Sequence, residues 1–582
     1  MNRFSALDRP QILNRLSRET FDLVVVGGGI VGAAAAWDAA QRGLRVALVE
    51  KADFANGASS KSSKLLHGGL RYLEMGDIRL VYESLAQRNR LFLDAAHVAK
   101  PLDFLLPILS GGVDRGWLMR AGLTLYDLLS HVTYLRGPWH RRLSATEAQT
   151  AEPALKNPRL TEVYRYLDGL TEDARLVIET LKSAVAEGAV CLNYVALSGF
   201  CKDESGQVNG IEVRDTWPGG QESLTVRAHQ VLLAVGPWLD TALKLDDPRC
   251  EPRLRPTKGV HLLIPAQLSR HAVLMRSVDP AERKKRLLFA IPWEGCTLLG
   301  TTDTDPVTPT DERYLDDDCD ATPAEVAYIL AATNATFGSH LTANDVIASF
   351  AGWRPLIAPS RQGLSASAVS REHEVIETSS GLLAIAGGKL TSFRTMARQS
   401  IDRVFAKRPT PSLTWMPSRI ESQAISGSDL GAHSLDAWVD QAAADPPPGL
   451  DPSAVRCLAR RYGSNWPALR ALVLETPSLA KPLSGLPDSH PHWCVEVAYA
   501  VRHECAARPE DFLQRRTRLF LTDPAQGLGA VEEVAGLMGE MLGDRLGWPP
   551  AERLSWVSQA SGRYVEMVTQ SRQRRRGEGP NG

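Results

Sequence analysis

Apolar residues fall along the chain in short unbroken runs closed by glycine, not in a uniform alternation. Leu23 to Val26 is the first run, followed at once by Gly27, Gly28 and Gly29 and then by the small residues Ala33 to Ala36. Four apolar residues ending in glycine predict a buried parallel strand, and the alanines predict a helix packed closely on it. After Gly43, Arg45 to Val49 predicts a second strand, which ends in Glu50. VLLAVG (231–236) and LLAIAGG (382–388) repeat the form: a short buried strand and a glycine turn. Around 406 to 455 the chain becomes rich in Pro, Ser and Gly (KRPTPSLTW, AADPPPGLDP), which predicts a linker. Beyond it, PSAVRCLARRYGSNWPALRALV and the segments after 490 carry helical spacing and predict an α-helical C-terminal domain over 456–570. No run of 18 apolar residues occurs, so no spanning helix is expected, and no internal repeat is evident.

The first unit carries chemistry. Gly27, Gly29 and Gly32 fit G-x-G-x-x-G: a tight turn, a close backbone approach to a pyrophosphate, and close helix–strand packing. The following helix offers free N–H groups and a positive dipole end to phosphates. Glu50, about 20 positions on, can accept both ribose hydroxyls of an adenosine. Strand, glycines, small-residue helix, strand and terminal acid together predict dinucleotide binding. A Ser/Lys/Gly loop follows in place of further regular βα repeats, which favours FAD over NAD.

Length and composition set the bounds. At 582 residues the chain allows two to four domains. A net charge of −1 excludes a surface built to attract nucleic acid, so anion handling must be local. The eight cysteines are scattered with no CxxC pair, which argues against zinc or iron–sulfur modules; no metal is expected.

The residues resemble the FAD-dependent, membrane-associated glycerol-3-phosphate dehydrogenases, within the D-amino-acid-oxidase-like flavoproteins. The matching pieces begin with DLVVVGGGIVGAAAAWDAAQRGLRVALVE and SSKSSKLLHGGLRYLE, then TEDARLV, AVGPW, TKGVHLLIP and IPWEG. LLGTTDTD, AGWRPL, GGKLTSFR and HECAARPEDFLQRRTRLFL complete the series, in the family's order over nearly the whole chain. The resemblance implies an α/β (α+β) architecture. A discontinuous Rossmann-like FAD-binding part within residues 20–405 is interleaved with an antiparallel-sheet substrate domain (roughly 95–190 and 240–370). The linker (406–455) and the helical domain complete it.

The same resemblance implies the site. FAD is expected at Gly27, Gly29, Ile30, Gly32 and Glu50. Ser60, Ser62, Ser63 and Lys64 are expected at its pyrophosphate or ribitol, and His67, Gly68, Gly69 and Leu70 along its ring. Val195, Ala234, Gly236, Trp238, Gly388, Lys389, Leu390 and Thr391 are expected around the remainder. Arg71, Tyr72, His261, Arg354, Arg371 and Lys389 fall at substrate-side positions, with Arg354 and Arg371 as the phosphate clamp. His261 is expected as the base, or as a group that only orients substrate; Arg71 and Lys389 stand near the reacting carbon.

The implied reaction oxidises sn-glycerol 3-phosphate to dihydroxyacetone phosphate, with electrons leaving to a membrane quinone, ubiquinone in the family. The expected location is cytoplasmic, peripheral on the inner face of the cell membrane, with a homodimer left open. Residues 104–134 fit two readings: an ordinary buried helix, or a surface on which Trp117, Met119, Leu123, Leu125, Leu128 and Leu129 meet acyl chains and Arg115 and Arg120 meet headgroups. Arg572, Arg574, Arg575 and Arg576 are expected in a disordered tail. The rival readings are a soluble glycerol-3-phosphate oxidase using O2, oxidation of another substrate such as an amino acid, and a non-catalytic flavin-binding protein.

Overall fold

The computed structural model describes residues 4–74, 76–110, 116–133, 137–217, 220, 223–265, 267–278, 285–304, 319–358, 373–407, 416–489 and 491–578. The predicted apolar runs form one sheet. Its strand order is His373–Glu377, Leu383–Gly387, Val231–Leu233, Leu23–Val26, Val46–Val49 and Val190–Leu192. All neighbours run parallel except the first pair, which is antiparallel. Each central strand is buried on both faces, which is why its residues are continuously apolar.

One face of this sheet carries the helix Ile30–Gln41, packed between the helices Asp173–Ala186 and Phe393–Ala406. Ala33, Ala34, Ala35 and Ala36 are fully buried, and their small side chains let three helices approach one another. The helix Asp173–Ala186 therefore belongs to the cofactor-side layer; the first inserted segment ends at 171, not at 190. The other face carries a small sheet of Thr20–Phe21, Ser223–Ala228, Val208–Asp215 and Val195–Lys202.

The substrate-side sheet is larger and mainly antiparallel. Its order is Ala348–Arg354, Thr257–Ile264, Cys296–Gly300, Lys285–Trp293, Ala272–Val278, Ala99–Leu109, Leu160–Thr171 and Leu65–Leu66, with Arg141–Ser144 joined to Leu160–Thr171. The chain thus passes between the two sheets more than once, returning to the cofactor layer for Val190–Leu192, for Val231–Leu233 and for the pair His373–Glu377 and Leu383–Gly387.

The C-terminal helices, among them Pro452–Tyr462, Trp466–Glu475, Cys494–His503, Val531–Leu546 and Pro550–Arg576, share one apolar core. Two expectations are corrected here. Within the predicted linker, the helix Leu435–Ala443, capped by Ser434, packs Val439 and Ala443 into that core. The terminal arginines continue the last helix: Arg575 is buried, and the Arg572 Nε donates to Gln526 Oε1 at 2.7 Å.

Candidate functional site

A cleft of about 330 Å³ opens at the carboxyl ends of the parallel strands. In open α/β sheets this is where ligands bind, because strand ends and helix N-termini converge there. Val26, Gly27, Val49, Glu50, Ala234, Val235, Gly387 and Gly388 line it. Its floor is shaped by missing side chains. Gly27 has φ +110°, and a Cβ there would lie 2.5 Å from the Ala234 carbonyl oxygen; a Cβ on Gly32 would lie 2.0 Å from the Gly27 oxygen. The helix Ile30–Gln41 starts at Gly29, which has no side chain to cap it, so its first-turn N–H groups are left to the covering loop and the cleft. Gly28 N donates to Glu50 Oε2 at 2.7 Å and Ala52 N to Glu50 Oε1 at 3.0 Å, which fixes the carboxylate at the rim. Helix N-terminus, glycine floor and fixed acid fit the pyrophosphate and ribose of FAD.

The loop that follows covers the cleft. Ser59 Oγ accepts from Ile30 N at 3.0 Å, and Ala58, Ser59 and Ser62 line the space. Ser59 escaped the sequence reading, which selected its neighbours. Ser60 faces a separate cavity together with Lys61. Lys64 departs from its expected role: it is buried, with Nζ 2.7 Å from Asp173 Oδ1, so it anchors the loop. Ser62 Oγ donates to the same Asp173 at 2.7 Å.

The loop's foundation lies in the C-terminal domain. Buried Asp53 receives Arg515 Nε at 2.5 Å and Arg516 Nη1 at 2.7 Å, and Arg515 reaches Asn56 on the cleft wall at 3.3 Å. Burial alone would raise the Asp53 carboxyl, but Arg516 and Arg515 outweigh it and hold its pKa at about 2.

A second cavity, about 160 Å³, adjoins the first. Ser63, His67, Gly69, Leu70 and Tyr72 form one wall; Arg276, Arg286, Asp303 and Arg354 form another. Ser62 and Ser63, and likewise Pro355 and Arg354, divide their contributions between cleft and cavity. Lys389 completes the junction: it lines the cleft, and its Nζ sits 3.7 Å from the centre of the Tyr72 ring. Gly68 lies behind this wall, where its N–H meets Tyr126 Oη at 2.9 Å and Asp168 Oδ1 at 3.3 Å. The Asp168 carboxylate is balanced by Arg88 at 2.7 Å.

His261 stands one layer deeper than expected. It is 2% exposed, stacked on Phe350 at 4.9 Å, and hydrogen-bonded through Nε2 to Ser63 Oγ at 2.8 Å. Ser63, not His261, lines the cavity. Burial, reinforced by Arg354 and Lys64, pushes the His261 pKa well below its ordinary value. The ring is therefore neutral at pH 7. Because the folded pKa is depressed, the associated stability is present above the unfolded value of about 6.5 and is lost as pH falls below it. His261→Gln is expected to lose less stability than the wild type between pH 7 and pH 5, read from thermal unfolding at the two pH values.

Of the other expected residues, Ile30, Val195, Ala234, Gly236, Trp238, Gly388 and Leu390 line the cleft. Thr391 is buried in the short turn Leu390–Ser392 that leads into the helix Phe393–Ala406. Arg71 lies on the helix Leu70–Glu74, and Arg371 is outside the described residues. Arg276, Arg286 and Asp303 were missed by sequence reasoning; an arginine on a strand carries no signal of its own.

Comparison with known proteins agrees with this geometry. Residues 22–394 match the FAD dependent oxidoreductase family, and residues 418–553 match the C-terminal domain of alpha-glycerophosphate oxidase. The chain is 36% identical over 550 residues to an aerobic glycerol-3-phosphate dehydrogenase of Staphylococcus aureus, spanning 92% of this chain and 94% of that one. The glycerol-3-phosphate dehydrogenase structure from Bacillus halodurans, complexed with FAD, superposes with TM-score 0.73 at 30% identity, covering 98% of both chains. The FAD-bound L-alpha-glycerophosphate oxidase from Mycoplasma pneumoniae shares the fold at 17% identity and TM-score 0.50, covering 69% of this chain and 98% of that one.

Proposed function

The chain belongs to the FAD-dependent oxidoreductase family, and from that premise we propose that it oxidises sn-glycerol 3-phosphate to dihydroxyacetone phosphate and passes the electrons to a membrane quinone, in glycerol catabolism. The observation that carries the reading is the arginine-walled cavity adjoining the glycine-floored cleft. A phosphate of about −1.5 to −2 charges is matched by guanidinium groups held away from bulk water. Bound FAD supplies the two-electron acceptor. Arg354 and Arg371 grip the phosphate, Tyr72 and Lys389 stand at the flavin end, and Arg71 and Lys389 stabilise the developing alkoxide. Ser63 Oγ, bonded to His261, offers the hydroxyl proton a route out of the cavity. His261→Gln is then expected to slow flavin reduction in a single turnover, and an unchanged rate removes His261 from the proton path.

Anaerobic bleaching of the flavin tests the substrate class: glycerol 3-phosphate is expected to reduce it, and glycine is not. Bleaching by glycine alone would move the reading to an amino-acid oxidase. Oxygen uptake without added quinone tests the acceptor; rapid uptake favours the oxidase alternative.

Membrane contact is the second half of the proposal. No described helix is long and apolar enough to cross a membrane. The helix Gly116–Val132 turns Met119, Leu123 and Tyr126 inward, while Trp117 (67% exposed), Leu118, Leu128 and Val132 face outward, beside exposed Arg120. The lipid-facing set is therefore narrower than the sequence suggested, since Met119 and Leu123 belong to the core. Replacing Trp117 and Leu118 together by serine is expected to weaken binding to anionic vesicles on the order of 100-fold in a flotation assay. Unchanged binding would place the contact elsewhere.

A further inference from the structure

The smaller cavity holds more cationic groups than the two arginines expected to clamp a phosphate. Arg286 lies on the strand Lys285–Trp293, and Arg354 ends the strand Ala348–Arg354. Two strands, Thr257–Ile264 and Cys296–Gly300, separate them in the sheet. Asp303 bridges that gap. Its Oδ1 receives Arg354 Nη1 at 3.2 Å and its Oδ2 receives Arg286 Nη1 at 3.5 Å; its backbone oxygen receives Arg286 Nη2 at 3.3 Å. Arg354 Nη2 is further fixed by Thr301 Oγ1 at 2.8 Å and the Thr302 carbonyl at 3.1 Å.

We infer that Arg286 is a phosphate-binding side chain and that Asp303 is the positioning residue that aims Arg286 and Arg354 at one anion. The inference rests on the reading of the substrate as a phosphate ester. Its first support is placement: all three residues line the same cavity, together with His67 and, on the helix Leu70–Glu74, Tyr72. The second is charge. The described residues of that wall bring three guanidinium groups, Arg276, Arg286 and Arg354, around one carboxylate, Asp303. The remaining carboxylate in the cavity, Asp168, is already balanced by Arg88. A phosphate monoester is the kind of anion that guanidinium groups recognise by paired hydrogen bonds. The third is burial: the Arg286 and Asp303 side chains are only 8% and 10% exposed, so water screens an added anion weakly. A single carboxylate between two guanidiniums offsets their mutual repulsion and sets their spacing before substrate arrives, which lowers the ordering cost of binding. Arg286 and Asp303 lie only 17 residues apart, yet the residues between them fold as two adjoining strands and a turn, so the sequence shows no motif for the pair.

The test is steady-state and single-turnover kinetics on purified holoenzyme. Arg286→Gln is expected to raise KM for glycerol 3-phosphate on the order of 30- to 100-fold, while flavin reduction at saturating substrate slows by no more than about threefold. Inorganic phosphate, used as a competitive inhibitor, is expected to lose potency by a similar factor. Asp303→Asn is expected to raise KM about tenfold, and Asp303→Glu to restore it to within about threefold of wild type. A wild-type KM and unchanged phosphate inhibition in Arg286→Gln overturn the inference while leaving the proposed substrate intact. Failure of the wild type itself to be reduced by glycerol 3-phosphate overturns the substrate reading, and this inference with it. If Arg286→Gln yields no folded flavoprotein, Arg286→Lys decides: it keeps the charge beside Asp303 but loses the planar fork, so KM is expected to rise about tenfold, and an unchanged KM overturns the assignment.

Discussion

A Gly32→Ala variant is expected to purify as a folded but colourless protein. The added methyl carbon would sit 2.0 Å from the Gly27 carbonyl oxygen and 3.3 Å from the Ala234 side chain. Both partners follow directly on cofactor strands, so relief requires the helix Ile30–Gln41 to move away from the sheet. That movement carries off the helix N-terminus proposed to meet the pyrophosphate. Strain of this kind costs about 1–3 kcal/mol, and the misplaced phosphate contacts add to it, so FAD affinity is expected to fall on the order of 100-fold or more. Fluorescence titration of apoprotein with FAD measures the loss, and far-UV circular dichroism shows that the fold persists. Gly536→Ala is the control. It lies within the helix Val531–Leu546 with open space around its Cβ direction, and it is expected to keep its flavin and gain about 1 kcal/mol in stability.

Arg354→Met is expected to lower kcat/KM for glycerol 3-phosphate on the order of 10²–10³-fold, with flavin content unchanged. Removing one partner from a desolvated, charge-assisted contact costs about 3–4 kcal/mol, much of it because the other charge is left unmatched. The variant also strips Asp303 of its nearer guanidinium and leaves it with Arg286 at 3.5 Å on the cavity wall. Methionine keeps most of the side-chain volume, so the loss reports charge and hydrogen bonding more than packing. Stopped-flow flavin reduction over a range of substrate concentrations checks it. A kcat/KM within threefold of wild type would remove Arg354 from the anion site.

The cofactor cleft was legible in the sequence because its signals are local. Leu23 to Val26, Val231 to Leu233 and Leu383 to Gly387 each carry their own buried apolar run, with a glycine closing it or following within a few residues. Parallel pairing then brings those glycines to one edge with no further information required. Ser59 and Ser60 show the limit of that locality. Both are serines in one loop, yet only Ser59 caps the helix at Ile30, because a one-residue change in loop register exchanges the faces.

The arginine wall was not legible for a different reason. Arg276, Arg286 and Arg354 sit on separate strands, and their convergence comes from the order of the antiparallel sheet. His261 shows the same dependence: its strand position is clear from TKGVHLLIP, but its depth follows from Gly300 on the paired strand, whose missing side chain makes room for the ring. The helix Gly116–Val132 is a case in which a usable signal existed. Met119, Leu123, Tyr126 and Ser130 fall at the i, i+4, i+7, i+11 spacing of one buried face, which leaves Trp117, Leu118 and Leu128 for the outer one.

The most direct measurement compares sn-glycerol 3-phosphate with glycerol in anaerobic single-turnover reduction of the bound flavin. Both molecules carry the secondary alcohol, and only one carries the anion proposed for the arginine wall. Reduction by the phosphate ester on the order of 10³-fold more efficiently than by glycerol is the predicted result. Equal efficiencies, or no bleaching by the ester, would contradict the account.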